Sequence, residues 1–310
     1  MNQSNQKLIQ LFIKYIINER QYSDNTARAY HDDISQFSEF LADSGVDKDF
    51  SLIDSFDVEV YLSHLHDFGD NNNTIARKMS SLRSFYNFLV NNQIVEDNPF
   101  VYVNIKKHTN HLPRFFYNKE LDKLFETAKI AKNPLLAYRN TSLLEVLYGT
   151  GIRVSECANL TLDDVDLSNN MMLVLGKGNK ERYLPFGKYA NDAITEYIHK
   201  SRNVLMDKFN KQHPYLFVDQ HGSHITSRGI EYVLNQIMKK SGLNTSIHPH
   251  MLRHTFATQM LNNGADLRTV QELLGHANLS TTQIYTHVTK EKLLKNYQNF
   301  FKRRDDENPD

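Results

Sequence analysis

Apolar residues recur at helical spacing through the first hundred residues, but the repeat stops near Asn98-Pro99 and returns only at about Asn118. An apolar stripe marks the side of an element that faces a core. A long stretch without such a stripe therefore joins two separate cores. We predict one domain at residues 1–97, an interdomain linker at residues 98–117 and a second domain at residues 118–310.

The first domain is predicted to contain helices only, because its periodicity is helical throughout. Three segments carry an apolar stripe: Leu8 to Ile16, Tyr30 to Leu41, and Ile75 to Leu89. A further helical segment, the third along the chain, runs from about Asp57 to His66. Ser23-Asp24-Asn25 precedes the second stripe and Asn71 to Thr74 precedes the last, and both runs offer capping side chains. The first domain is therefore predicted to have four helices.

Three cations of the fourth segment, Arg77, Lys78 and Arg83, lie off its apolar stripe, with serines between them. Charges in such positions often solvate a surface face of a helix. Cations interleaved with hydroxyls also suit contacts to DNA phosphates. The sequence leaves both interpretations open.

The second domain mixes helices with a short hairpin. The turn Gly176-Lys177-Gly178-Asn179 joins an apolar strand, Met171 to Leu175, to a second strand, Glu181 to Pro185. Six helices are predicted in this domain. The first runs from about Asn118 to Ala131, and the second contains Leu143 and stops at Gly149-Thr150-Gly151. The third begins at the cap Thr226-Ser227, the fourth begins near His250, the fifth runs from about Asp266 to Leu274, and a short sixth contains Tyr285. The fold class is therefore mainly α with a small β-hairpin or sheet (α+β).

Net charge is zero over the 310 residues, but the two halves differ. Residues 1–107 carry 10 Lys and Arg against 15 Asp and Glu, and residues 108–310 carry 26 against 21. The second half is thus the better candidate for a surface that faces phosphates. A polar N-terminus, a single cysteine (Cys157) and the lack of a membrane-length apolar run predict a cytoplasmic protein with no membrane partner.

Four local patterns carry groups suited to phosphoryl transfer. Their candidate residues are Arg153 with Glu156, Lys177 in the hairpin turn, His250 with Arg253 three residues later, and His276 with Tyr285. Transesterification at a phosphodiester needs a nucleophile, cationic donors around the nonbridging oxygens, and groups that move protons. Arginine suits the second task, because its planar fork meets two oxygens and keeps its charge.

Each pattern also has an ordinary structural interpretation. Arg153 could pair with Glu156 on a helix surface, and Lys177 could be a solvated turn residue. His250 could cap a helix or pack in the core, and Tyr285 could be one of many packing tyrosines. The set, rather than any one member, carries the argument.

Taken in order, Arg, Lys, His-x-x-Arg, Leu-Gly-His and a tyrosine nine residues later resemble the tyrosine recombinase (phage integrase) family. The segment from His248 to Val288 resembles the bacterial Xer recombinases, and the run from Leu273 to His287 leans toward the XerC group rather than the XerD group. The likeness extends over nearly the whole chain, including the helical first domain and the Gly-Lys-Gly-Asn-Lys-Glu-Arg hairpin. No candidate active-site position departs from the family pattern.

The resemblance implies a role for each residue. Tyr285 would attack the scissile phosphate and form a 3′-phosphotyrosyl link, with Arg153 and Arg253 on the nonbridging oxygens. Lys177 would protonate the leaving 5′-oxygen. The remaining implied roles are acid or base for His250, a phosphate hydrogen bond for His276, and orientation of Arg153 by Glu156. No ATP, metal or other cofactor is needed, because the bond energy stays in the phosphotyrosine.

The resemblance also implies partners and an arrangement on DNA. The first domain would be a SAM-like core-binding domain, and the two domains would form a clamp around double-stranded DNA. Four protomers would assemble, with a second Xer-type recombinase in a heterotetramer or with copies of this chain alone. A septal DNA translocase could activate them. The expected role is resolution of chromosome and plasmid dimers at segregation. The apolar C-terminal tail, with Leu293, Tyr297 and Phe301, would dock on a neighbouring protomer or on its own domain.

Three rival functions remain. His250 and His254 have the spacing of a metal site, but Met251 stands where a zinc protease has glutamate, and Arg253 would repel a cation. A non-catalytic DNA-binding protein on the same fold would be favoured by a degraded catalytic pattern. A type IB topoisomerase or a phage or transposon integrase would use the same chemistry on another substrate.

Overall fold

The structure is a computed structural model that describes residues 3–43, 48–102, 115–176, 180–243, 249–275 and 287–302, with the side chains of Pro249 and residues 287–289 excepted. The chain forms two compact units, residues 1–111 and 112–310. Their boundary falls inside the predicted linker.

The first unit contains the four predicted helices. They are α1 (Gln3–Asn18), α2 (Asp24–Asp43), α3 (Ser55–Asp67) and α4 (Asn72–Asn91). Asp54 caps α3 by accepting from the backbone N–H groups of Phe56 and Asp57, and Asn71 caps α4 by accepting from Thr74. The sequence therefore located these four α-helices.

The core of the first unit contains a connected group of aromatic side chains. Phe37, Phe50, Tyr61 and Phe85 are fully buried and contact one another at ring-centroid distances of 4.8 to 6.1 Å. Phe100, from a short 3₁₀ helix at Pro99–Tyr102, packs edge-on against Phe37 at 5.5 Å. The first residues of the predicted linker thus complete the core of this unit.

The second unit is mostly helical. Its helices are α5 (Asn118–Ala128), α6 (Pro134–Thr150), α7 (Val154–Asn159), α8 (Lys188–Tyr197), α9 (Asn203–Lys208), α10 (Ser227–Ser241), α11 (Pro249–Asn262), α12 (Leu267–Leu274) and α13 (His287–Phe300). The helix predicted around Tyr285 lies outside the described residues. None of the described helices is long and apolar enough to cross a membrane.

One small antiparallel sheet interrupts these helices. Strands β2 (Met171–Leu175) and β3 (Glu181–Pro185) pair with the register Met171 to Pro185 and Leu175 to Glu181, which confirms the predicted hairpin. A two-residue strand, β1 (Val165–Asp166), pairs with β2 and was not predicted. It is too short to produce a periodic pattern in the sequence.

The segment from α8 to α9 was also not identified individually from the sequence. A short π-helix, Ile198–Arg202, joins the two helices. Arg202 is buried there, and its guanidinium donates to the backbone carbonyls of His213, Tyr215 and Leu216. Arg202 therefore holds the irregular loop at residues 213–216 against the helices, because its guanidinium supplies hydrogen bonds to backbone carbonyls outside the regular strands.

Helix α13 packs against its own domain. Leu293 and Tyr297 are buried in a cluster with Phe256, Met260 and Val270 from α11 and α12. The Tyr297 ring lies beside Gly187, where an added Cβ would stand 3.2 Å from the phenolic oxygen. The structure of the single chain therefore has the tail docked in cis. Docking on a neighbouring protomer stays a prediction.

Candidate active site

Four of the predicted site residues lie in the described part of the second unit: Arg153, Glu156, His250 and Arg253. Lys177, His276 and Tyr285 lie outside the described residues. The described part of the site therefore consists of the first four residues and of the residues that flank the other three.

Arg153 occupies the N-cap of α7, directly after α6 ends at Gly151 in a left-handed conformation (φ 61°). Its backbone N–H donates to Glu156 Oε2 at 3.0 Å, and its Nη1 donates to Glu156 Oε1 at 2.8 Å. The Arg153 side chain is 35% exposed, whereas the Glu156 side chain is 5% exposed. The ion pair of Arg153 with Glu156, considered from the sequence as a surface contact, is therefore present, but its carboxylate is buried.

A second arginine, Arg182 on β3, contacts the same carboxylate. Its Nη1 and Nη2 donate to Glu156 Oε1 and Oε2 at 2.9 and 2.8 Å, a bidentate geometry, and its side chain is 7% exposed. Burial raises the pKa of Glu156, but the hydrogen bonds from Arg182 and Arg153 outweigh it, so that this pKa stays below its usual value. Glu156 is therefore a buried carboxylate held ionised between two guanidinium groups.

Sequence reasoning missed Arg182 as a site residue. One signal could have found it: along β3 it alternates with exposed Glu181 and shares its inward face with Leu184, which is buried. An arginine at an inward position of a strand needs a buried partner, because an unpaired charge is costly there.

Arg253 on α11 is the third cation of the cluster. Its Nη1 donates to the Gly151 carbonyl at 2.7 Å, and its Nη2 donates to the Leu274 carbonyl at 2.6 Å. Burial, together with the nearby charges of Arg153 and Arg182, lowers the pKa of Arg253 to about 10. A bound anion would relieve this strain between like charges, because it favours the charged form of every guanidinium around it.

The ends of α6 and α12 bring these cations together. Gly151 and Gly275 both adopt left-handed backbone conformations, and an added Cβ at either would meet a neighbouring side chain at less than 3 Å. The Gly275 carbonyl lies 3.4 Å from Arg153 Nη2. Since Leu274 and Gly275 directly precede His276 in the sequence, Arg153 and Arg253 converge on the start of the segment that carries the predicted nucleophile.

His250 lies in the first turn of α11, one turn before Arg253, and is exposed. His254 lies one turn after His250, and its ring lies 6.2 Å from that of Phe115. Among the residues that the structure describes, no group of three or more His, Cys, Asp or Glu could hold a metal ion.

The cations of the first unit have different surroundings. Lys78 is buried and its ammonium contacts Asp70 at 2.5 Å, while Arg77, half of whose side chain is exposed, contacts buried Asp33 at 2.5 Å. Arg83 donates from Nε to the Phe100 carbonyl at 3.1 Å. All three cations thus have partners within their own unit.

Sequence profiles of known families match both units. The phage integrase family matches residues 114–292, and the phage integrase N-terminal SAM-like domain matches residues 9–93. With the arginine cluster, the mostly helical fold and its three-stranded sheet, these matches show that the chain belongs to the phage integrase family, the tyrosine recombinases. It is a site-specific recombinase that exchanges DNA strands, which confirms the resemblance seen in the sequence.

Within this family, similar curated proteins carry the name tyrosine recombinase XerC. The protein from Pediococcus pentosaceus is 54% identical over 97% of this chain and 99% of its own length. The protein from Lacticaseibacillus casei is 54% identical over 95% and 98%, and that from Listeria welshimeri is 52% identical over 94% and 96%. The matches therefore extend over both units and the region between them.

Solved structures of recombinases share the fold. XerH bound to palindromic difH substrate, a post-cleavage complex, matches with a TM-score of 0.66 and 26% identity over 94% of this chain and 83% of that one. The Tn1549 transposon integrase with transposon right end DNA matches with a TM-score of 0.68 over 97% and 96%, but at 17% identity. The second likeness concerns the fold alone.

Proposed function

We propose that Tyr285 is the nucleophile of this recombinase. Its phenolic oxygen attacks the scissile phosphorus, the bond from phosphorus to the 5′-oxygen breaks, and a 3′-phosphotyrosyl link and a 5′-hydroxyl result. His250 accepts the phenolic proton and Lys177 protonates the leaving 5′-oxygen. Attack of a 5′-hydroxyl from another strand reverses these steps, so the phosphodiester energy is kept and neither ATP nor a metal is consumed.

One observation carries this proposal: two guanidinium groups, those of Arg153 and Arg253, converge on the end of α12. Arg253 keeps its place through two backbone carbonyls, and Arg153 through a buried carboxylate. A pentacoordinate phosphorane places extra charge on its nonbridging oxygens, and preformed donors stabilise that charge without reorganising. His276 would add a third donor from the adjoining segment.

Glu156 orients Arg153 in this scheme. Its carboxylate receives both the backbone N–H and the Nη1 of Arg153, which fixes the start and the end of that side chain. The lowered pKa keeps Glu156 ionised at neutral pH, so this contact persists during turnover. The carboxylate itself takes no part in proton transfer.

The test uses a DNA duplex with a nick just beyond the scissile phosphate, from which the 5′-hydroxyl fragment diffuses away. Wild-type protein should accumulate a covalent adduct that survives denaturing electrophoresis, with and without a chelator. Tyr285→Phe should bind the duplex with similar affinity and form no adduct. An adduct in that variant would exclude Tyr285 as the nucleophile, and activity that returns only with zinc or magnesium would support a metalloenzyme.

We further propose that the chain acts in the cytoplasm and resolves chromosome dimers together with a second Xer-type recombinase, under the control of a septal DNA translocase. The identity of 52–54% to XerC proteins over nearly their whole length supports this role. Sequencing the chromosomal fragments trapped by the wild-type protein tests it. One recurrent chromosomal site is expected. Fragments from the ends of a mobile element would instead indicate an integrase.

Assembly of four protomers on DNA would involve α13, which carries the buried residues Leu293 and Tyr297. A chain that ends after Lys290 separates the two docking modes. If the tail docks in trans on DNA, the shortened chain should bind one half-site normally but lose cooperative binding of a second protomer. If the tail docks only in cis, the melting temperature should fall while cooperativity stays unchanged.

A further inference from the structure

We infer that Arg182 is a positioning residue for strand cleavage, because it contacts the structural elements that carry three separate candidate catalytic groups. This inference rests on the proposed function, since it concerns the same active site. Arg182 itself is not expected to touch DNA, because its side chain is only 7% exposed.

The first contact is with Glu156. Both oxygens of this carboxylate accept from Arg182, whereas Arg153 contributes one side-chain bond and one backbone bond. The bidentate pair fixes the plane of the carboxylate, and that plane sets where the Arg153 guanidinium can lie. Arg182 thus acts on Arg153 through Glu156.

The second contact is with Gly176, the residue directly before Lys177. An added Cβ at Gly176 would stand 3.2 Å from Arg182 Nη1 and 3.8 Å from Glu156 Oε1. The Gly176 backbone N–H also donates to the Lys180 carbonyl at 2.7 Å, which closes the hairpin just beside the guanidinium. The buried pair therefore supports the backbone from which the Lys177 turn begins.

The third contact is with Gly275, the residue directly before His276. An added Cβ at Gly275 would stand 2.6 Å from Arg182 Nε and 2.7 Å from Cδ. The guanidinium therefore lies against the Gly275 backbone, an approach that glycine alone permits. The buried Nε has no hydrogen-bond partner in the described part of the chain, so this face of Arg182 is used for packing against the backbone.

Arg182 thus lies between Gly176 and Gly275 while it holds Glu156. Residues 156, 176 and 275 are far apart in the sequence, and each directly adjoins or orients a candidate catalytic group. Replacing Arg182 should therefore shift several groups together. Displacement of a reacting group by about 1 Å can cost roughly 10²-fold in rate, so the expected effect is large even though DNA affinity is unchanged.

The test compares Arg182→Met with Arg202→Met on the nicked duplex under single-turnover conditions. Arg202 is the matched control: it is buried in the same unit and bonds to the carbonyls of a loop far along the chain from the candidate residues. The amplitude of adduct formation reports the folded fraction, and the rate constant reports chemistry. We expect Arg182→Met to cleave roughly 10²-fold more slowly at unchanged DNA affinity. Arg202→Met should lower the melting temperature and the amplitude, with a rate constant within about threefold of wild type.

Two further variants separate positioning from general stability. Arg182→Lys keeps a charge near Glu156 and should recover part of the rate. Combining Arg182→Met with Arg153→Lys should slow cleavage less than the product of the two single effects, because part of the effect of Arg182 acts through Arg153. Multiplicative effects in this double variant, or a wild-type rate constant for Arg182→Met, would overturn the inference.

The proposed function and the role of Arg182 can be disproved independently of each other. If wild-type protein forms no adduct at all, the proposed function is wrong. If wild-type protein forms the adduct and Arg182→Met matches its rate constant, the proposed function stands and only the role of Arg182 is wrong.

Discussion

The ion pairs of the first unit and the arginine cluster of the second unit differ in their ratio of cations to carboxylates. In the first unit, Lys78 pairs with Asp70 and Arg77 with Asp33, one carboxylate for each cation. In the second unit, three guanidinium groups lie close together, and in the described part of that cluster two of them share the single carboxylate of Glu156.

The ratio of cations to carboxylates distinguishes a structural ion pair from a site that can bind an anion. A buried pair with equal charges is neutral overall, so it adds little attraction for a further anion. Among the described residues, the third guanidinium, Arg253, donates to two backbone carbonyls and to no carboxylate. Its pKa is lowered first by burial and then by repulsion from Arg153 and Arg182. We therefore expect the cluster with surplus positive charge to bind a phosphate, which would supply the missing negative charge.

The largest effect is expected from Arg153→Lys in the second unit. Lysine keeps the charge but cannot make a forked contact with two oxygens, so the cleavage rate should fall roughly 10²–10³-fold. Single-turnover cleavage of the nicked duplex measures this, with DNA affinity as the control. A rate within about threefold of wild type would mean that Arg153 serves only as the partner of Glu156.

A large effect on stability, rather than on rate, is expected from Lys78→Met in the first unit. The change leaves Asp70 without its buried partner and should cost about 3 kcal/mol in the free energy of unfolding. Chemical denaturation measures the loss, and the rate constant of the folded fraction should not change. In the double variant with Asp70→Leu, much of the stability should return. A cleavage defect that persists in this double variant would contradict a structural role for the pair.

A moderate, pH-dependent effect is expected from Glu156→Gln. Because the folded-state pKa of Glu156 is lowered, its ionised form stabilises the fold above the ordinary glutamate pKa, and this contribution is lost as pH falls through the lowered value. The wild type should therefore melt at a higher temperature than the variant at neutral pH, and the gap should narrow in acid. A gap that is constant with pH would show that the charge of Glu156 does not stabilise the fold.

The smallest effect is expected from Arg77→Gln. Half of this side chain is exposed, so it can reach a phosphate while it pairs with Asp33. The loss of one phosphate contact should weaken DNA binding a few-fold and reduce the slope of log affinity against log salt by about 1. An unchanged slope would leave Arg77 as a structural partner of Asp33 only.

The sequence by itself determined the helices of the first unit, the β2–β3 hairpin and the family. Helical stripes and alternating strands depend on neighbours a few residues apart, so a local pattern specifies them. The motifs that carry Arg153, His250 and Arg253 are equally local, which is why they could be found without a structure.

Only the tertiary structure decided how these residues meet. The contact of Arg182 with Glu156 spans 26 positions, that of Arg253 with the Gly151 carbonyl spans 102, and that of Arg153 with the Gly275 carbonyl spans 122. No periodic pattern encodes a pairing across such distances, because it depends on how whole helices and strands pack. The burial of Lys78 and the docking of α13 on its own domain were undecided by the sequence for the same reason.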